Sequence, residues 1–574
     1  MAIPSRLVSV ALLLLVAAAG CGVGAGSPED NLRASAAAMI ATPLRLSPEG
    51  EATLLASIDA GSLPDLRRPN FVNYRVPAKK FYDSVGHKLV WIKGAQPTNQ
   101  ALAVIDLLQN ADQKGLNAED YDGSRWAKRL AVLQRENLQT SELDLVRFDL
   151  ALTVSAMRYA SDLHIGRVNP RHVHCGFDIE HKKLDLAEFL LRSVLDASDV
   201  KTAFEQVEPP FAVYRRAQKA LQTYHRLARE DDGELLPSTK KPVEPGDIYP
   251  GTPRLTRLLR TLGDLPADAV IPPDRMVYDG TLVDAVKRFQ HRHGLEPDGG
   301  IGPDTLKQLN TPLQRRAEQL RLALERWRWL PHDFSQPPIV VNIPEFKLRA
   351  FNDQYKPVLT MKVVVGRAYR HRTPVFAQEM KYVIFRPYWD VPPSIERAEL
   401  IPEIEKDSGY IAKHAYEVVD SRTRIVTDAT ADLIQQLRSG QLAIRQKPGA
   451  NNALGHVKFV FPNEHDVYMH GTPAVELFRK SRRDFSHGCI RLENAEELAV
   501  WALRSNPEWT RDRIRTAMNG NQTVRVNLAK PIPVLIVYAT AIVLESGEAH
   551  FFDDVYGHDA VLQRVLAKGY PYSD

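Results

Sequence analysis

Residues 467–492 read VYMHGTPAVELFRKSRRDFSHGCIRL, and two clusters within them, Met469-His470-Gly471 and Ser486-His487-Gly488-Cys489, hold the densest chemistry of the chain. A cysteine that attacks a carbonyl needs a thiolate, an imidazole near enough to hold or remove its proton, and backbone donors for the oxyanion that forms. Cys489, His470 and the Gly488 turn supply these three types, and Gly488 lets the backbone approach a substrate closely. Asn494 and Glu497 have the pattern of a helix cap, so Cys489 lies just ahead of a helix start, too far for the helix dipole to matter much. A lone cysteine is more often a buried structural thiol. A zinc reading of His470, His487 and Cys489 lacks a fourth ligand at finger-like spacing, so no metal and no cofactor are expected.

Outward from this stretch the hydrophobic pattern alternates with period two at 339–343, 347–351, 360–365, 381–385 and 456–461, separated by Pro, Gly, Asn and Asp. A mainly-β domain is predicted over 335–530. Residues 395–451 interrupt it with helix-like, charged sequence, too long for a simple connection and therefore a candidate lid. The apolar run 531–544 reads as one or two buried strands and opens a C-terminal strand and helix extension, 531–574. Upstream, 313–330 is an amphipathic helix, placed in a linking segment 312–334 that is a candidate part of the scaffold. Trp327 and Trp329 on it are read as core.

A compact three-helix unit is predicted over 252–311, with a helix at 281–293 and a core of Ala285, Phe289, Leu295 and Ile301. Residues 237–251, PSTKKPVEPGDIYPG, read as a Pro-rich linker. From about 71 to 227 the periodicity is helical, with Leu102, Ile105 and Leu108 in one stretch and Leu145, Phe148 and Leu152 in another, so a helical scaffold domain is predicted over 61–245. The fold class is therefore multidomain α+β. Two histidine clusters attract notice: His172, His174 and Cys175, with His164 nearby, are read as a solvated loop, and His291 and His293 as solvent-facing residues of a basic helix.

The 574 residues allow about three or four domains at roughly 150 residues each. With 44% hydrophobic and 25% charged residues the chain is neither disordered throughout nor a membrane bundle, and a net charge of +4 gives no reason to expect nucleic acid. Arg6 and the apolar run 7–19 form a secretory leader, 1–20, followed by a tether, 21–60. Three cysteines, Cys21, Cys175 and Cys489, exclude a disulfide framework.

Three resemblances follow. The stretch AVKRFQHRHGLEPDGGIGPDT, 285–305, resembles the peptidoglycan-binding domain of bacterial wall enzymes. His470 followed 19 residues on by Cys489 in SHGCIR resembles the L,D-transpeptidase catalytic domain, and RPYWDVPPSI (386–395), NALGHVKFVFPN (452–463) and SDLHIGRVNP (161–170) look like the larger Gram-negative members of that family. VAAAGC, 16–21, resembles a lipoprotein cleavage site with Cys21 as the lipidated residue, although Ala17-x-Ala19 also suits an ordinary signal peptidase.

The resemblance implies that Cys489 is the nucleophile and His470 the proton donor and acceptor, oriented by the backbone carbonyl of Gly471, where many large members carry Asp. His487, Gly488 and Cys489 would shape the oxyanion site through their amides. Arg491 would meet a substrate carboxylate, and Ser486 and Tyr468 would line the substrate site. The implied reaction joins two diaminopimelate residues in a 3→3 cross-link from a tetrapeptide donor, releasing D-alanine. The implied partners are peptidoglycan stem peptides and glycan strands, with penicillin-binding proteins or other wall-synthesis enzymes as further candidates, no nucleic acid, and the membrane only through Cys21. The implied location is the periplasm of a Gram-negative bacterium, with an outer-membrane lipoprotein as one form. Two rivals stand beside this reading: an L,D-carboxypeptidase that uses water as acceptor, and a non-catalytic wall anchor.

Overall fold

A computed structural model describes residues 45–94, 96–133, 141–179, 182–368, 371–426 and 432–572. The secretory leader and Cys21 lie outside the described residues. The segment read as a tether carries a helix, α1, Pro48–Ala60, with Ser47 accepting from the Gly50 amide as its N-cap and Pro48 in its first turn. Leu54 and Ile58, four residues apart, bury one face of α1 in the helical core, so the scaffold starts ahead of residue 61. That core is organised around α2, Glu142–Ile165, which is buried on nearly every side. Among the described residues of this region a two-residue strand pair, Ile92–Lys93 with Gln96–Pro97, departs from the all-helical expectation.

After α3, Ala212–Glu230, the chain enters the small unit made by α4, Thr252–Leu262, α5, Thr281–Arg292, and α6, Pro303–Leu309. Ala285, Phe289 and Ile301 sit in its core, while Leu295 stays half-exposed. The Pro-rich linker belongs to this unit: Val243 pairs with Ile301, Ile248 pairs with Val277, and Tyr249 is buried. The chain then returns along α7, Leu313–Arg328, which packs lengthwise on α3 through Leu221, Tyr224, Leu320 and Leu324. The small unit is thus an insertion between two paired helices of the scaffold.

The β-rich part contains β1, Ile339–Asn342, β2, Lys347–Phe351, β3, Pro357–Gly366, and β4, Phe376–Phe385. The inserted segment carries β5, Trp389–Asp390, β6, Tyr416–Asp420, and β7, Leu442–Gln446. Then come β8, Val457–Val460, β9, Met469–His470, β10, Asp484–Ser486, β11, Ile490–Leu492, and β12, Val524–Val537. Nine of these form one sheet in the order β10-β3-β11-β9-β8-β4-β12-β1-β2, and β2 also pairs with β3, so the pairing returns on itself. The domain end expected at 530 falls inside β12, which crosses Pro531 and Pro533 with a register shift between Asn527 and Ile532. Such an irregularity is where a strand tolerates the missing proline donors.

The lid is not purely helical and starts earlier than expected. Strands β5, β7 and β6 form a separate three-stranded sheet, and Ile401, Ile404, Val418, Leu437 and Ile444 give it a core of its own. Buried Asn452 clasps its two stems, its side-chain amide reaching the Pro387 carbonyl at 3.2 Å and the Lys447 carbonyl at 2.9 Å.

The loop at 172–175 is docked through buried Val173 and Cys175, while His172 and His174 stay exposed as expected. Cys175 bridges to Val375 beside β4, the Gly176 amide donates to the Val375 carbonyl at 2.7 Å, and burial pushes the Cys175 thiol up to about 11. Past β12, β13, Ala541–Val543, and β14, Ala549–Phe551, form a hairpin against α3 and α7. Helices α8, Ala495–Ala502, and α9, His558–Lys568, complete the elements used below. Trp329 is buried and Trp327 half-buried against the core. Among the described residues no helix is long and apolar enough to cross a membrane.

Candidate active site

Strand pairing brings the two sequence clusters together. Strand β9 lies between β8, antiparallel, and β11, parallel, with Met469 opposite Ile490 and His470 opposite both Arg491 and Lys458. Side chains alternate across a sheet, so Met469, Ile490 and Phe459 enter the core while Lys458, His470 and Arg491 form a row on the other face. Tyr468 and Cys489 precede the paired residues on their strands and share that face, and the Ile490 amide donates to the Tyr468 carbonyl at 3.0 Å. Two segments separated by 19 residues thus meet through a parallel pair that local pattern alone does not reveal.

The His470 ring is buried, and its Nδ1 lies 2.5 Å from the Gly471 carbonyl oxygen. A carbonyl only accepts, so Nδ1 carries the proton and Nε2 keeps a lone pair. Burial, then the charges of Arg491 and Lys458, hold His470 down at about 3, against the pull of the Gly471 carbonyl. Burial also pushes the partly exposed Cys489 thiol up, opposed by hydrogen bonds from Tyr468 and by the Lys458 and Arg491 charges. Both shifts favour a neutral imidazole and a neutral thiol at rest. Alkylation of Cys489 by iodoacetamide is therefore expected to rise with pH through and beyond the ordinary thiol value of 9.0, with no plateau in acid. A rate already at its maximum near pH 6 would instead reveal a preformed thiolate–imidazolium pair.

The turn carrying Cys489 is held from inside. The Ser486 hydroxyl donates to the Cys489 carbonyl at 2.6 Å and accepts from the Gly488 amide at 3.1 Å. The Thr373 hydroxyl donates to the Gly488 carbonyl at 2.7 Å and accepts from the Gly366 amide at 2.9 Å. Gly488 itself sits at φ +116°, a conformation L side chains rarely adopt. Its amide is already engaged by Ser486, whereas among the described residues the amides of His487 and Cys489 have no such partner.

His487 does not point toward His470. Its Nε2 lies 2.6 Å from Oε1 of Glu399 on the lid, and its ring stands 4.8 Å from that of His371. Lys458 lies 3.7 Å over the Tyr468 ring, and Asp390 of β5 adds a negative charge that acts on both. Lys458, Thr373, Glu399 and Asp390 were missed by sequence reasoning. Lys458 was within reach, because it alternates with buried Val457 and Phe459, whereas nothing local marks Thr373 or Glu399.

A second glycine supports the position of His470. Gly455 has φ +64°, and a Cβ there would stand 2.7 Å from the Gly471 carbonyl carbon and the Thr472 nitrogen. Gly455→Ala is expected to cost about 1–3 kcal/mol in denaturant unfolding and to lower turnover by displacing the carbonyl that orients His470. Unchanged stability and turnover would show that this backbone contact yields freely.

Residues 337–526 match the family of the L,D-transpeptidase catalytic domain. The chain carries an L,D-transpeptidase catalytic domain. Residues 251–309 match a family described as "Putative peptidoglycan binding domain", and residues 77–221 match a scaffold domain. A Haemophilus influenzae protein named "Putative L,D-transpeptidase" is 32% identical over 242 residues, 42% of this chain and 48% of its own length, so the chain spans about half the length of that curated relative. A crystal structure of an L,D-transpeptidase from Stackebrandtia nassauensis is 12% identical, covers 53% of this chain and 96% of that one, and superposes at a TM-score of 0.21. The L,D-transpeptidase catalytic domain holds all the residues of the row described above, and the lid is folded within it.

Proposed function

We propose that this protein is a cysteine L,D-transpeptidase that forms 3→3 cross-links in peptidoglycan. The observation that carries the reading is the parallel pairing of β9 with β11, which puts Cys489, His470 and Arg491 on one face beside the Ser486-His487-Gly488 turn. In the proposed reaction the Cys489 sulfur attacks the carbonyl of the third stem residue while His470 Nε2 accepts the thiol proton. The amides of His487 and Cys489 stabilise the oxyanion. The C–N bond to the terminal D-alanine then breaks, its amine takes the proton from His470, and a thioester remains. The side-chain amine of diaminopimelate on a neighbouring stem attacks that thioester, the C–S bond breaks, and the thiol is restored. Arg491 is placed to pair with a substrate carboxylate. Tyr468 and Lys458 line the floor.

The peptidoglycan-binding domain supports peptidoglycan as the partner, with the module holding glycan strands and the catalytic face working on stem peptides. Penicillin-binding proteins or other wall-synthesis enzymes are the proposed co-workers. The proposed location is the periplasm of a Gram-negative bacterium, with Cys21 as a lipid anchor to the outer membrane. Carbapenem-type β-lactams are proposed to acylate Cys489.

The test mixes the protein with disaccharide tetrapeptide from a diaminopimelate-containing wall and follows products by chromatography and mass spectrometry. Release of D-alanine with 3→3 dimers is the expected result. Tripeptide without dimers would replace the reading with an L,D-carboxypeptidase, and no turnover would move it to a wall anchor.

A further inference from the structure

Far from the catalytic face, the inserted small unit meets the β13–β14 hairpin at the C-terminal end of α5. Two buried residues fasten this seam. The Arg292 guanidinium is buried, pairs with Asp264, and reaches the Ala549 carbonyl at 3.4 Å. His293 was expected in solvent; it is buried, with its ring stacked 3.8 Å from Phe289 and 5.8 Å from Phe551. His291, by contrast, faces solvent at the rim.

At that rim His291 meets His550 of β14 and Glu548, which lies just before the strand. Their ligand-type atoms all lie within 4.8 Å of one another, and the His291 and His550 rings stand edge to face at 5.6 Å. His550 is only 2% exposed, and among the described residues its buried Nε2 has no hydrogen-bond partner, although it lies 2.9 Å from the Glu548 carboxylate. A buried ring nitrogen left without a hydrogen bond is costly unless something else engages it. We propose that His291, Glu548 and His550 bind one divalent cation of borderline softness, of the zinc class, which clamps the peptidoglycan-binding module to the hairpin.

The donor set fits that ion. Two imidazoles and one carboxylate with a fourth, water-filled position are a zinc coordination set. Tetrahedral bonds of about 2.1 Å bring ligand atoms to roughly 3.4 Å apart, so the cluster closes by up to about 1.4 Å. The two exposed side chains, His291 and Glu548, can rotate to do this while His550 stays fixed by packing. The surrounding charges partly offset one another: Arg292 and Lys347 oppose a cation, and Glu345 favours it. The clamp would hold the module in one orientation to the catalytic domain, because β14 continues from β12 of the catalytic sheet through β13.

The test titrates untagged, chelator-stripped full-length protein with zinc chloride by calorimetry and follows hydrogen exchange of residues 549–551. The wild type is expected to bind one zinc per chain and to exchange more slowly at 549–551 when loaded. His291→Ala and Glu548→Gln, both exposed and tolerable to the fold, are expected to weaken binding at least tenfold. No binding, or binding unchanged in both variants, overturns the site. Binding that leaves exchange at 549–551 unaltered overturns the clamp.

Discussion

Cys489→Ala is expected to abolish D-alanine release and dimer formation, lowering turnover by about 10⁴-fold or more. The reason is that no other group on the catalytic face can form the acyl intermediate. Lys458 is half-buried and held over the Tyr468 ring, and the Ser486 hydroxyl is committed to the Cys489 carbonyl and the Gly488 amide. The fold should survive, because the side chain is partly exposed and its sulfur is held only weakly, by Tyr468 and by a 3.9 Å contact to the Asp466 carbonyl. Intact mass after incubation with a carbapenem supplies the complementary readout: a covalent adduct on the wild type and none on the variant. His470→Ala should approach the same loss, and the double variant should be no worse than either single one, since nucleophile and base act as a unit. Turnover retained in Cys489→Ala would remove the thioester from the mechanism.

The second large effect is on stability. Glu325 of α7 is fully buried and accepts from the Arg167 side chain at 3.0 Å, the Val168 amide at 3.2 Å and Arg328 at 3.3 Å, as well as from the Arg167 amide. Arg328 in turn donates to the Tyr214 hydroxyl of α3 at 3.1 Å and to the Lys114 carbonyl, and Arg167 donates to the Gly115 carbonyl at 3.2 Å. One carboxylate thus joins the end of α2, the helix pair α3–α7 and a scaffold loop. Gly166 makes the approach feasible, since a Cβ there would stand 2.9 Å from Glu325 Oε1. Glu325→Ala leaves two buried guanidinium groups without their anion and is expected to cost about 3–5 kcal/mol in urea unfolding.

The pH dependence of this contribution has a definite sign. Burial raises the Glu325 carboxyl, but Arg167 and Arg328 outweigh it and hold the carboxyl below its ordinary 4.5. A group depressed in the folded state stabilises above its unfolded value, and that stability is lost as pH falls through the lower folded value. The difference between wild type and Glu325→Gln should therefore be full at neutral pH and shrink only in strong acid. A difference that is flat across that range would show that the carboxylate is not the stabilising species.

Local order in the chain was enough to reveal the catalytic motif, the alternation of the sheet strands, the capped helix after Cys489 and the glycine-rich turn of the small unit. Each of these depends on neighbours within a few residues: Asn494 caps by accepting from the Glu497 amide, and Val457, Lys458 and Phe459 alternate in and out along one strand. What covers a given face is a different matter. Periodicity says that α3 and α7 each have an apolar stripe but not that they pack together around an inserted module. It says that 531–544 is apolar but not that β12 passes its prolines without leaving the sheet.

The same limit explains the site residues that only the folded chain discloses. Thr373 acts through the carbonyl of Gly488, Glu399 reaches His487 from a separately folded lid, and Glu325 is an ordinary helix residue until Arg167 meets it. The sequence by itself therefore determined which atoms could do chemistry, because nucleophile, base and flexible turn are properties of residue type. The tertiary structure alone decided which of them meet, in what protonation state, and what holds them there, because burial and charge pairing arise only when distant segments close on one another.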